Sequence, residues 1–413
     1  MTAKVFLRTF GCRANQYDTE AVRAMIEAAG GEVVSSPDDA DAAVFNSCAV
    51  TAAAEADLRR SVRQAARRRP ELRTVVMGCA AARDDGTIAA LPTVAHVVGG
   101  ADLSGVAAAL DLPPTTRPPN AQTGTRALLR IQDGCDEHCT FCATTLARGA
   151  ARSRAADALV AEALQLADRH PEIVLTGIHI GHYGIDTDDS LSALVERLIR
   201  DVPSVRFRLS SLEATEVDDR LRELFSEPTR LAPHLHAPLQ SGSDAILKRM
   251  GRHWYSAQRY AAAVERVARG SGVFALGADV IAGFPGESED DHRLTMALIE
   301  SLPFTYLHVF PYSLRPGTAA ERLPGHVGGS VSDRRSKELR AIGDRCAGAH
   351  AAARVGTECD LVVMGGGDRR EGLTEDYLTV SVNAAVPRGV RCRARIERDG
   401  SRLLGVPLEP IIP

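Results

Sequence analysis

Cys135, Cys139 and Cys142 stand in C-x3-C-x2-C spacing directly after the apolar run 127–131, and this loop sets the tightest limit on how the 413-residue chain can fold. Three thiols crowded into one loop must be held at the end of a strand. As thiolates they suit a 4Fe-4S cluster bound through three of its four irons, which leaves the fourth iron for a ligand that is not protein. A zinc reading requires a second Cys or His pair to complete a tetrahedron, and none follows at knuckle spacing. A disulfide framework fits poorly with nine cysteines, an odd count, and with a start, Met1-Thr2-Ala3-Lys4-Val5-Phe6, that enters a strand pattern instead of an export signal. No apolar run reaches the length of a membrane span. A cytoplasmic location with no membrane segment is therefore expected.

The rest of the chain alternates between strand-like and helix-like patterns. Runs at 4–10, 42–46 and 74–77 read as short apolar strands, followed by helical periodicity at 19–29 and 52–69. That alternation predicts a parallel sheet flanked by helices, in a domain spanning 1–112. Pro113, Pro114, Pro118 and Pro119 then interrupt both patterns and mark 113–126 as a linker. Beyond it, strand patterns at 127–131, 173–176, 205–209, 234–237, 276–281 and 306–310 alternate with helices at 157–169, 191–200, 256–269 and 290–301. Six such units over 127–345 predict a partial (β/α) barrel. From 350 to 413 the pattern changes to short β-like runs broken by Gly365-Gly366-Gly367, Glu371-Gly372 and Asp399-Gly400, which predicts a small β-barrel. The fold class is α/β.

Three further cysteines acquire meaning from this topology. Cys12, Cys48 and Cys79 each stand one or two residues past a predicted strand. In a parallel sheet the carboxyl ends share one edge, where open α/β sheets bind their ligands. The three thiols are therefore expected to converge on a second metal or cluster site, with Gly11 and Gly78 allowing close backbone approach. Cys346, Cys359 and Cys392 show no such pattern and read as packing residues.

Hydrophobic residues make up 45% and charged residues 25% of the chain, ordinary values for a globular protein. The net charge of -4 removes any global polycation signal, so nucleic-acid contact would rest on local patches. Two candidates are Arg391, Arg393 and Arg395, which alternate along one strand face, and Arg60, Arg63 and Arg67 on the helix after Cys48. A solvated edge strand blunted by charge explains the first equally well, and an ordinary solvated helix face is the better reading of the second.

Seven ordered segments resemble the radical S-adenosylmethionine methylthiotransferase family. They are Gly11-Cys12-Arg13-Ala14-Asn15-Gln16-Tyr17-Asp18-Thr19-Glu20, Asn46-Ser47-Cys48-Ala49-Val50-Thr51, Gly78-Cys79, the Cys135 loop, His234-Leu235-His236-Ala237-Pro238-Leu239-Gln240-Ser241-Gly242-Ser243, Gly283-Phe284-Pro285-Gly286-Glu287, and Phe310-Pro311-Tyr312-Ser313-Leu314-Arg315-Pro316-Gly317-Thr318. Glu371 to Tyr377 is similar to the RNA-binding TRAM barrel of that family. The stretches Cys48-Ala49-Val50-Thr51 and Thr176 to Gly184 most resemble the family type that acts on N6-threonylcarbamoyladenosine at tRNA position 37.

The resemblance implies two 4Fe-4S clusters. One, on Cys135, Cys139 and Cys142, would bind S-adenosylmethionine and cleave it reductively; the other, on Cys12, Cys48 and Cys79, would carry or supply the sulfur. Thr176, Gly177, Ser211 and Glu213, which follow the second and third barrel strands, are implied as contacts to S-adenosylmethionine. A tRNA anticodon loop, a sulfur donor and an electron donor would be the partners. Two other readings stand at this point. One is the same chemistry on isopentenyladenosine or on a ribosomal protein aspartate. The other is a non-catalytic iron-sulfur sensor that binds RNA.

Overall fold

The computed structural model describes residues 3–113, 121–225, 230–269, 272–365 and 370–410. Pro114, Pro118, Pro119, Gly366 and Gly367 lie outside these residues.

Strands β1 (Lys4–Thr9), β2 (Glu32–Val34), β3 (Ala42–Ser47), β4 (Arg73–Gly78) and β5 (Val94–Gly99) form a parallel sheet in the order β2-β1-β3-β4-β5. The central strand β3 is buried along its whole length, as expected for a parallel strand covered on both faces. Val22, Met25 and Ile26 of the helix Arg13–Ala28 pack on one face with Val44, Val75 and Met77. Leu58, Val62 and Ala65 of the helix Ala52–Arg68 cover the other with Phe45 and Val76. The side chain of Thr51 caps the latter helix by accepting from the backbone N–H of Ala54. The helix Arg13–Ala28 begins one residue after Cys12, a turn and a half before the apolar periodicity starts, because its first turn is polar and serves the site described below.

The central part comprises β6 (Ala127–Arg130), the short pair β7 (Gln132–Asp133) and β8 (Arg152–Ser153), then β9 (Glu172–Thr176), β10 (Arg206–Leu209), β11 (His234–His236), β12 (Ala275–Ala282) and β13 (Tyr306–Pro311). Strands β6, β9 and β10 form one parallel sheet and β11, β12 and β13 another. Parallel bridges between Phe207 and Leu231 and between Ser211 and His236 join them into a six-stranded partial barrel. The six predicted units are therefore present. The largest apolar core lies between these strands and outer helices such as Ala156–Ala167 and Leu191–Asp201.

The helix Gly329–Arg354 runs unbroken through 346–349 and leads into a closed five-stranded barrel, β14 (Glu358–Val363), β15 (Arg370–Thr374), β16 (Thr379–Val382), β17 (Arg391–Asp399) and β18 (Arg402–Pro410). Its interior is filled by Leu361, Val363, Val380, Ala394, Ile396 and the thiols of Cys359 and Cys392. Strand β17 pairs with β14 and β18 on its two sides, so the edge-strand explanation of its arginines fails. Arg391, Arg393 and Arg395 do share one face, but they pair with Asp360 or Glu358.

Candidate active site

The expected convergence of the first cysteine triad is a consequence of sheet order. Strands β1, β3 and β4 are neighbours, and Cys12, Cys48 and Cys79 follow their carboxyl ends. Asn15, in the first helical turn, gathers two of the thiols: its Oδ1 lies 3.7 Å from Cys12 Sγ and 3.9 Å from Cys79 Sγ. Its amide group is held by donation to the carbonyls of Phe10 (3.0 Å) and Ser47 (2.7 Å), which fixes where Oδ1 points. Gly11 has φ +96°, and a Cβ there would fall 2.5 Å from Cys48 Cβ and 2.6 Å from Cys48 Sγ. The missing side chain is thus the space into which Cys48 reaches. Burial pushes the Cys48 thiol up and, against the pull of Arg148, the Cys79 thiol up to about 11.

Arg148, on the short helix after Cys142, spans the two triads. Its Nε donates to Cys79 Sγ at 3.3 Å, and its Nη2 donates to Asn15 Oδ1 at 2.8 Å and to Asp18 at 2.7 Å. Nη1 reaches Asp133 at 3.1 Å, two residues before Cys135. Pairing with Asp18 and Asp133 compensates the burial of the guanidinium.

The Cys135 loop is pinned at both ends. Gly134 has φ +75°, and a Cβ there would lie 1.9 Å from the carbonyl oxygen of Ala150, so only glycine fits. The backbone N–H of Thr140 donates to the carbonyl of Met250 at 2.8 Å. Polar groups face two of the sulfurs: His179 Nδ1 lies 3.6 Å from Cys135 Sγ, and Arg252 Nη1 lies 3.6 Å from Cys139 Sγ. Burial pushes the Cys139 thiol up to about 12, against the pull of Arg252. For His179, burial opposes the charged form, but Cys135 and Glu216 (2.8 Å) outweigh it and push the imidazole up to about 10.

The four residues implied as cofactor contacts take different positions. Thr176 is buried at the end of β9, and Gly177 packs so tightly on Gln132 that a Cβ would lie 2.8 Å from its carbonyl oxygen. Ser211 is exposed and bridges to His236. Glu213 is buried, pairs with Arg252 and leaves Oε2 without a partner. Sequence reasoning did not single out Arg148, Arg252 and Glu216. Arg148 lies within the cysteine loop, but nothing local marks its contact with Cys79, and Arg252 meets Cys139 only through the fold.

Comparisons with known proteins fit this geometry. Residues 4–100 match a model described as Uncharacterized protein family UPF0004, and residues 129–299 match the Radical SAM superfamily. A protein of Bacillus subtilis named threonylcarbamoyladenosine tRNA methylthiotransferase MtaB is 37% identical over 372 residues, covering 85% of this chain and 82% of that protein. A Mycolicibacterium gilvum protein named tRNA-2-methylthio-N(6)-dimethylallyladenosine synthase is 31% identical over 398 residues, covering 89% and 78%. In fold, the radical S-adenosylmethionine methyltransferase TsrM from Kitasatospora setae superposes with a TM-score of 0.59 at 14% identity, covering 78% of this chain and 74% of that one. The chain belongs to the MtaB-type methylthiotransferase family within the radical S-adenosylmethionine superfamily.

Proposed function

We propose that this protein is a tRNA-modifying enzyme that inserts a methylthio group at C2 of N6-threonylcarbamoyladenosine 37, using S-adenosylmethionine and two 4Fe-4S clusters. The observation that carries the reading is the pair of thiol triads on separate parts of the fold, joined by Arg148. A sensor needs one cluster and no barrel, whereas this chemistry needs two separate sulfur-ligated centres. The C–H bond at C2 of adenine is too weak an acid for any side-chain base, so radical chemistry is required. Reductive cleavage of S-adenosylmethionine is what a cluster with one open iron supplies when bound.

Cys135, Cys139 and Cys142 would hold one cluster, and Cys12, Cys48 and Cys79 the other. The residues fit: all six thiols are free of disulfides, and Gly11 leaves room for Cys48 to join its triad. Arg252 and His179 stand as cationic neighbours that offset thiolate charge. The unpartnered Oε2 of Glu213 offers a buried acceptor to the amino or ribose end of S-adenosylmethionine, with Thr176, Gly177 and Ser211 beside it on the same strand ends. The tRNA anticodon loop, a sulfur donor and an electron donor are the partners in this reading, and the cytoplasm is the compartment. No helix among the described residues is long and apolar enough to cross a membrane.

Nucleosides from digested tRNA, compared by mass spectrometry between a strain lacking the gene and the same strain carrying wild type or Cys139→Ala, test the proposal. The 2-methylthio-threonylcarbamoyl nucleoside should vanish in the deletion, return with wild type and stay absent with Cys139→Ala. Loss of 2-methylthio-isopentenyladenosine alone would move the substrate to that nucleoside. Persistence of every methylthio nucleoside would exclude tRNA as the required substrate.

A further inference from the structure

His236, Asp279 and His308 lie side by side on β11, β12 and β13 and touch neither thiol triad directly. Another His/carboxylate group, His179 with His182 and Glu216, sits against Cys135 and belongs to the site already described. We propose that His236 Nε2, His308 Nδ1 and an Asp279 carboxylate oxygen form a separate divalent-cation site of the two-histidine, one-carboxylate kind, suited to zinc.

The spacing of the donor atoms fits an ion. His236 Nε2 is 3.0 Å and His308 Nδ1 is 3.4 Å from the same Asp279 oxygen, and all three donor atoms fall within 4.8 Å of one another. Zinc bonds of about 2.0–2.2 Å, meeting at octahedral to tetrahedral angles, set neighbouring donors about 3.0–3.4 Å apart. The donors come from three hydrogen-bonded strands, so they are held by the sheet and not by a loop.

The surrounding hydrogen bonds are those of a ligating histidine. Tyr306 Oη sits 3.0 Å from His236 Nδ1 and 2.8 Å from His234 Nε2. The Tyr306 hydroxyl thus bridges the two imidazoles of β11. A partner on Nδ1 orients the His236 ring and leaves Nε2 facing Asp279, the arrangement of a metal-binding histidine. An entry path exists, because the side chain of His308 is 52% exposed and that of Asp279 26%. One carboxylate and two imidazoles fill three positions and leave the rest of the coordination sphere open to water or another oxygen ligand.

The test uses the full chain with its iron-sulfur clusters reconstituted, dialysed anaerobically against zinc and then freed of excess ion. One zinc per chain is expected, with nitrogen and oxygen scatterers at about 2.0–2.1 Å in the zinc-edge X-ray absorption spectrum. His308→Ala, at a half-exposed position, and Asp279→Asn should each weaken zinc retention at least tenfold while iron content and cluster absorption stay unchanged. Sulfur scatterers at about 2.3 Å, which would place the zinc on cysteines, overturn the proposal. So does zinc retained by both variants, or none retained by the wild type.

Discussion

Arg148 has a side chain only 1% exposed, and each of its nitrogens is committed: to a thiol, to an amide oxygen and to two carboxylates. A buried cation is costly alone, and so is the carboxylate it leaves behind. Arg148→Ala should therefore lower the unfolding free energy by about 3–5 kcal/mol, read by denaturant titration of the cluster-free chain. Arg148→Lys should restore little, because an ammonium cannot present the same planar fork to Cys79, Asn15 and Asp18 at once. At this scale the cysteines were legible because their spacing and their places after strands carry chemistry. The arginine was not, since one Arg in an Arg-rich chain gives no signal until the sheet edge is folded against the barrel. Gly11 was legible as a position needing freedom, but the space it leaves is occupied by Cys48, which only coordinates show.

The turn between β15 and β16 docks the small barrel onto the core. There Glu375 and Asp376 compete for Arg354, whose nitrogens lie 2.9 Å from each carboxylate. Burial, then the charge of Asp376, pushes Glu375 up to about 7 from the ordinary 4.5. A carboxyl whose pKa rises on folding holds its proton more tightly in the native state. Its contribution is therefore complete below about 4.5 and is lost as pH climbs through about 7. Glu375→Gln should flatten that part of the stability curve, on the order of 3 kcal/mol, in thermal melts recorded across this window. The buried central strands of both sheets were readable from apolar runs. Strands β2, with three residues, and β5, half exposed around His96, carry too short or too mixed a pattern to stand out. The arginine strand β17 read correctly as one face, but its position between two neighbours depended on barrel closure.

Across the whole molecule, one tyrosine meets all three parts. Tyr377 of the small barrel stacks on His234 of the core with ring centroids 4.5 Å apart, and its hydroxyl accepts from Arg13, the residue after Cys12, at 3.1 Å. Beneath it, the fully buried Arg206 and Arg208 share Glu172 and donate to the carbonyls of Asp360, Thr374 and Glu375. Tyr377→Ala should cost about 1–3 kcal/mol and speed amide exchange at Asp360, whose N–H donates to Glu375. Unchanged exchange there would show that the arginine layer alone holds the barrel in place. By itself the sequence determined the α/β class, the six barrel units and the closing β-barrel, and it singled out the cysteines of the candidate site, because apolar period and motif spacing are local properties of a chain. Tertiary structure decided which charges meet. The Arg148 span, the Arg206–Glu172–Arg208 layer and the His236–Asp279–His308 group join residues from separate elements, and pairings between distant charges become definite only when burial removes water as the competing partner.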